Sequence, residues 1–305
     1  MRRIKIGTRG SRLALVQTEI VCGLLRARAA TEIDVLVVNT TGDKLPEERR
    51  GEVEGKGAFT GDLEAMLQSN EIDLAIHSMK DLPTSLGRGL EVGATPVRAD
   101  PRDALVSAHG LLLSNLPNGS AVGTSSIRRK AQLRALRGDL EVVDLHGNVD
   151  TRLRKVGSGS LEGIVIAAAG LERLGELQRV TEFFSIDKVV PSPCQGTIAV
   201  ESRVEDADAA SYLRSIEDPS VRTESECERA FAARLGGDCD LPAGFCARLE
   251  GGSIRMTGAI ASPDGSKVVR LVDNAPAEEA SRAGRDFADR MLSMGGREIL
   301  EEVLA

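Results

Sequence analysis

Residues 3–16, Arg3-Ile4-Lys5-Ile6-Gly7-Thr8-Arg9-Gly10-Ser11-Arg12-Leu13-Ala14-Leu15-Val16, decide the fold class. Arg3 to Gly7 reads as a short strand. From Ser11 to Arg28, apolar Leu13, Val16, Ile20 and Leu24 recur every three or four positions, which predicts a helix. Residues 33–38 read as a second strand. The pattern then repeats, with apolar runs at 73–76, 90–94, 104–106, 121–123, 140–143 and 163–168 and helical segments such as 60–68 and 126–136 between them. Strands alternating with helices predict α/β layers on a mostly parallel sheet. In such sheets ligands lie beyond the carboxyl ends of the strands.

Three features interrupt the rhythm. Residues 42–58 form a long polar stretch with four glycines, the kind of loop that covers a site. Asp100-Pro101-Arg102 and Pro191-Ser192-Pro193 bracket the middle of the chain and read as paired crossovers between two domains. After about Pro219 the character changes. A helix near 222–235 precedes alternating segments at 244–249, 253–260 and 267–272, then an amphipathic helix over 277–294.

The chain has 305 residues, enough for two or three domains. With 41% hydrophobic and 28% charged residues it has the composition of a soluble globular protein. A net charge of -7 argues against a general nucleic-acid binder, and one Tyr, six Phe and no Trp argue against base-stacking platforms. The acidity is uneven. Residues 1–200 carry 26 basic and 25 acidic side chains, residues 201–305 carry 13 and 21, and 121–160 carry eight and four. No run approaches the ~20 apolar residues of a membrane span, and the first residues lack a signal-peptide core. Five irregularly spaced cysteines and three histidines predict neither a disulfide framework nor a metal site. A cytoplasmic chain with reduced thiols is expected, with Cys22, Cys227 and Cys246 as packing residues.

Polar constellations stand where strands end. Gly7-Thr8-Arg9-Gly10-Ser11 opens a helix, and free backbone N–H groups there suit anions. His77-Ser78-Met79-Lys80-Asp81-Leu82-Pro83 follows a strand and is stopped by proline, with Lys80 and Asp81 suited to an anion and a cation respectively. Gly123-Thr124-Ser125-Ser126-Ile127-Arg128-Arg129 places two cations at a helix N-terminus, against the macrodipole, which predicts a bound anion. Arg152, after His146-Gly147-Asn148, and Arg173 follow two further strands. Cys239 lies beside two glycines on a turn where thiol chemistry is possible.

Ten collinear segments resemble the hydroxymethylbilane synthase (porphobilinogen deaminase) family. They are the three strand-end motifs above and Gly55-Lys56-Gly57-Ala58-Phe59, Asp100-Pro101-Arg102-Asp103-Ala104, Gly147 to Leu153, Ala168-Ala169-Gly170-Leu171, Gln195-Gly196, Glu228-Arg229-Ala230-Phe231 and Gly237 to Pro242.

The resemblance implies two α/β domains like those of type II periplasmic binding proteins, with the site in their cleft, plus a small α+β C-terminal domain. Its boundaries are 1–99 with 197–216, 100–196, and 217–305. It implies a monomeric transferase of porphyrin, heme and tetrapyrrole biosynthesis. This enzyme joins four porphobilinogen molecules head to tail on a dipyrromethane cofactor, held by a thioether to Cys239, and releases ammonia at each addition. Hydrolysis then gives linear hydroxymethylbilane for a uroporphyrinogen-III synthase. Asp81 matches the catalytic aspartate, which would stabilise the azafulvenium cation and shuttle protons. Arg9, Lys56, Lys80, Arg128, Arg129, His146, Arg152 and Arg173 would bind cofactor and substrate carboxylates. Ser11, Ser78, Thr124, Ser125, Ser126 and Gln195 would hydrogen-bond, and Phe59 would stack or gate.

Several residues depart from the family pattern. His146 stands where Arg is usual, so contact with a carboxylate should weaken as pH rises. Asp238 and Asp240 flank Cys239 and should disfavour its thiolate. Glu52 replaces a possible second loop Lys, and Cys194 occupies a position that is often Gly. The competing reading, a small-anion binding module on the same scaffold, requires neither Cys239 nor Asp81.

Overall fold

The computed structural model describes residues 3–29, 32–41, 60–157, 161–236 and 241–304. The chain forms two compact units, Met1–Ala99 with Gly196–Arg222 and Asp100–Gln195 with Thr223–Ala305. It therefore passes between them three times, beside the two proline-marked turns and again between Arg222 and Thr223.

The first unit is built on a five-stranded sheet of order β2-β1-β3-β10-β4. Its strands are β1 (Ile4–Arg9), β2 (Ile33–Val38), β3 (Leu74–Ser78), β4 (Leu90–Ala94) and β10 (Ile198–Arg203). β1 is parallel to β2 and β3, whereas β10 runs antiparallel between β3 and β4. Four strands thus point one way and β10 the other. β10 is the first strand after the chain re-enters this unit. It starts against the segment leaving β4, with Ile198 N–H donating to Val97 O and Ala99 N–H to Gly196 O. Entry at the carboxyl edge obliges it to run backwards.

The second unit repeats this logic. Its sheet has the order β7-β6-β8-β5-β9, from β5 (Asp103–Ser107), β6 (Ala121–Gly123), β7 (Glu141–Val143), β8 (Gly163–Ala167) and β9 (Glu182–Phe183). β6, β7 and β8 are parallel. β5, the first strand after the crossing, is reversed, and its Asp103 pairs with Ala167 at the end of β8. A parallel sheet with one reversed entry strand is the observed form of the expected α/β layer.

Helix ends explain much of the polar sequence. Ser11 Oγ accepts the Ala14 N–H at the start of α1 (Arg12–Ala29). α2 (Gly61–Gln68) ends on Asn70 at φ 61°, with Asn70 N–H donating to Leu67 O and Glu71 N–H to Met66 O. This paired closure turns the chain into β3. Ser126 caps α3 (Ile127–Leu136), and Asn148 caps α4 (Val149–Lys155). α5 (Ala168–Leu174) follows β8 directly, and α6 (Ala207–Ile216) is capped by Asp206.

α7 (Pro219–Arg234) leads to the antiparallel sheet β11 (Ala243–Glu250), β12 (Ser253–Ala261) and β13 (Val268–Pro276). Phe231 and Phe245 stack there at 4.1 Å, with Phe287 edge-on to both. Phe287 lies on α8 (Ala280–Met291) and fits because Gly258 lacks a side chain; a Cβ there would sit 2.5 Å from its ring. Within the helix predicted over 277–294 the α-helical part is α8, and the chain kinks just beyond that span, where Gly295 takes φ 105°, before α9 (Arg297–Leu304).

This C-terminal sheet closes on the middle of the chain within one unit. Gly244 lies against Val190 O, and Phe245 N–H donates to Pro191 O. Arg134 donates to Pro263 O, and Arg270 to the carbonyls of Asp187 and Lys188. Cys22, Cys194, Cys227 and Cys246 are all buried, as packing residues should be. Cys194 adopts φ 61°, and its N–H donates to the buried Glu228 carboxylate.

Asn70 tests the α2 closure. Asn70→Ala should cost about 1 kcal/mol in urea unfolding and Asn70→Gly nothing, because only the former forces a Cβ branch into the left-handed region without Asn's local hydrogen bonding.

Candidate functional site

In the first unit, the carboxyl ends of adjacent β1 and β3 bring Arg9, Ser11, Ser78, Lys80 and Asp81 to one sheet edge. The approach is tight. A Cβ on Gly7 would lie 2.5 Å from Ile72 Cδ1, and Thr18 Oγ1 donates to Thr8 Oγ1 at 2.8 Å, fastening α1 to β1. Gln17, buried on α1, donates to Ser78 Oγ at 2.9 Å and accepts from it at 3.2 Å. The next three residues, Met79–Asp81, make a single 3-10 turn. It is held by Met79 N–H to Thr197 O at 3.0 Å and Leu82 N–H to Met79 O at 3.2 Å. Lys80 is half-buried and Asp81 exposed, so the turn presents its carboxylate to solvent.

In the second unit, the ends of β6, β7 and β8 gather Thr124, Ser125, Ser126, Arg128, Arg129, His146, Arg152 and Arg173. Thr124 Oγ1 accepts the Ser126 N–H, and Ser126 Oγ accepts the Arg129 N–H.

The arginine pair revises the sequence argument. The anion opposite these cations is the protein's own Asp103, fully buried at the start of β5. Arg128 Nη1 donates to Asp103 Oδ2 at 2.7 Å and to Val190 O at 2.6 Å. Arg129 donates through Nε and Nη2 to Asp103 Oδ1 at 3.0 and 2.7 Å, and through Nη1 to Val165 O. Burial alone would raise the Asp103 pKa. The charges of Arg128 and Arg129 override it and hold the carboxyl far below the usual range. One carboxylate balances one of two buried guanidinium charges. The excess lies on Arg128, whose Nε and Nη2 make no hydrogen bond among the described residues.

Gln195, expected to hydrogen-bond a ligand, spends its amide inside the protein. Nε2 donates to Pro101 O at 2.7 Å and Asp103 Oδ1 at 2.9 Å, while Oε1 accepts from Arg129. It supports the arginine site from behind.

The remaining cations differ from one another. Burial pulls the Arg173 pKa down to about 10, against a small opposing effect of Glu172, so this guanidinium is desolvated beyond what its neighbours offset. Arg152 Nε donates to Gly147 O at 2.7 Å. His146 Nδ1 is buried without a partner among the described residues, and its Nε2 lies 4.0 Å from Asp144, which also binds Lys130.

Lys56, Phe59, Cys239, Glu52, Asp238, Asp240 and the expected covering loop 42–58 lie outside the described residues. Among those described, no cluster could hold a metal ion and no helix is long and apolar enough to cross a membrane. Sequence reasoning missed the supporting roles of Gln17 and Asp103. Asp103 stood in a quoted motif, but nothing local connects it to arginines some 25 residues away.

Residues 4–211 match the family model "Porphobilinogen deaminase, dipyromethane cofactor binding domain", and residues 222–293 match "Porphobilinogen deaminase, C-terminal domain". The chain is 41% identical to a porphobilinogen deaminase of Syntrophus aciditrophicus (strain SB), over 98% of each chain. It is 43% identical to that of Desulforudis audaxviator (strain MP104C), over 100% of this chain and 99% of the other. For Roseiflexus sp. (strain RS-1) the identity is 44% over 97% of each. Among solved structures, the methionine binding protein MetQ is similar over 72% of this chain and 92% of its own, at TM-score 0.45 and 13% identity.

Asp103→Asn should lower stability by about 3–5 kcal/mol, because two buried guanidinium groups lose their counter-charge. The folded pKa of Asp103 is depressed, so its contribution is complete above the unfolded value near 4 and declines as pH falls toward the folded value. Acid unfolding followed by circular dichroism should therefore show part of the wild-type loss below about pH 4 missing in Asp103→Asn.

Proposed function

The chain belongs to the porphobilinogen deaminase family, and we propose that the strand-end residues of its two units carry out the family's reaction as follows. The activity is that of hydroxymethylbilane synthase, a transferase of tetrapyrrole synthesis with porphobilinogen as substrate and dipyrromethane as cofactor. The observation that carries the residue assignment is the unbalanced arginine pair. A buried positive charge left after Asp103 is satisfied calls for an external anion. Each pyrrole unit brings an acetate and a propionate.

The residues fit a group rich in carboxylates. The uncommitted edge of Arg128 offers charge that Asp103 does not balance, and Arg173 adds a desolvated guanidinium in the same unit. In this reading Arg128, Arg129, Arg152 and Arg173 hold carboxylates of the cofactor and growing chain, together with His146, Arg9, Lys80 and Lys56. Cys239 is the attachment point. When bound, the dipyrromethane supplies the primer pyrrole to which the first substrate unit is joined.

The chain's own groups do the rest. Lys80 and Arg9 orient incoming porphobilinogen through its carboxylates. Asp81, at the tip of its turn, faces the pyrrole nitrogen of the substrate. There it stabilises positive charge as ammonia departs and moves the proton released by carbon–carbon bond formation. Ser78, oriented by Gln17, and Ser11, Thr124, Ser125 and Ser126 add hydrogen bonds. Gln195 acts behind them by fixing Arg129. Phe59 and the loop 42–58 exclude water from the reactive centre.

A three-domain division, 1–99 with 197–216, 100–196 and 217–305, belongs to the same proposal. Three separate sheets and an apolar cluster drawn from Cys227 to Leu300 support it. A cytoplasmic monomer that passes its product to a uroporphyrinogen-III synthase completes the reading and rests on family membership.

Intact mass is the experiment. Active purified protein should exceed the bare chain by two pyrrole units, and Cys239→Ser should lose both the excess and the activity. Active protein with the bare mass refutes the reading. Asp81→Asn should keep the excess mass while kcat falls by about 100-fold or more.

A further inference from the structure

His77 and Glu201 form a buried pair that the reaction scheme does not use. His77 Nε2 and Glu201 Oε2 are 3.0 Å apart, and the side chains are 3% and 0% exposed. Glu201 Oε1 is buried without a hydrogen-bond partner among the described residues. A buried polar pair with one unsatisfied oxygen adds little stability over apolar residues of the same volume. What such a pair supplies is registry.

The strands need it. β3 reads Leu-Ala-Ile-His-Ser and β10 reads Ile-Ala-Val-Glu-Ser-Arg, and both are buried along nearly their whole length. With small or branched apolar residues on both faces, a slip of the ladder exposes nothing, so hydrophobic pattern specifies register weakly. In the observed register Ser78 pairs with Ile198, His77 with Ala199 and Ala75 with Glu201. His77 and Glu201 therefore meet diagonally, on the face where Ala75 joins Leu63 and Leu67 of α2. The contact past Ser78–Ile198 is Met79 N–H to Thr197 O, which begins the Lys80–Asp81 turn. A two-residue slip would move that turn by about 7 Å relative to β10.

We infer that His77 and Glu201 are positioning residues: their pair pins β3 against β10 and so fixes the place of the Lys80–Asp81 turn. The functional consequence rests on the proposed role of Asp81; the structural readout does not.

The test uses full-length holoenzyme carrying the double substitution His77→Leu with Glu201→Leu, and separately Glu201→Gln. Amide exchange at Met79, Tm, kcat and KM are measured. In the double variant Tm should hold, and Met79 protection should fall at least about tenfold while Leu74 to Ile76 keep theirs. Its kcat should fall at least about tenfold with KM within about threefold. Glu201→Gln, which keeps shape and one hydrogen bond, should fall between. Unchanged Met79 protection in the double variant, or kcat falling only in step with Tm, overturns the inference. If the double variant does not fold, unchanged Met79 exchange and kcat in Glu201→Gln overturn it. Lost Met79 protection with full kcat upholds the pin and counts against Asp81.

Discussion

A single buried carboxylate, Asp103, holds two buried guanidinium groups and an amide at the point where the chain enters its second unit. Without it, Arg128 and Arg129 would be two uncompensated charges at the start of α3, where the helix macrodipole already opposes them. With it, the site is one charge short of neutral. That arrangement leaves one buried positive charge for which the proposed function supplies the anion. Gln195 ties this carboxylate to Pro101, so the segments entering and leaving the unit are fastened to the arginine pair.

The same economy recurs at each strand end. Ser11, Ser126 and Asn148 are N-caps, Ser78 precedes a 3-10 turn, and each sits within a few residues of a cation or of Asp81. Side chains that terminate helices thus also place charged groups at the sheet edge. Folding signal and candidate motif coincide, and a sequence argument finds both together.

What the sequence revealed was local. The strand and helix of residues 3–29 follow from apolar spacing, and β2, β4 and β6 have the bounds their runs predicted. Long-range features did not show. The reversal of β5 and β10 depends on where the chain enters each sheet. The Asp103 counter-ion is distant in sequence from its arginines, Gln17 from Ser78, and His77 from Glu201. Periodicity carries no information about such pairs. The macrodipole argument read Arg128 and Arg129 as calling for a bound anion and did not anticipate that the protein supplies a carboxylate there itself.

The central claim is that these charges serve the assembly of a linear tetrapyrrole from porphobilinogen. Ammonia release measured against porphobilinogen consumed by the purified chain tests it most directly. One ammonia for each porphobilinogen, with one hydroxymethylbilane for every four, is the predicted result. Porphobilinogen bound without release of ammonia would contradict the account and leave only an anion-binding protein.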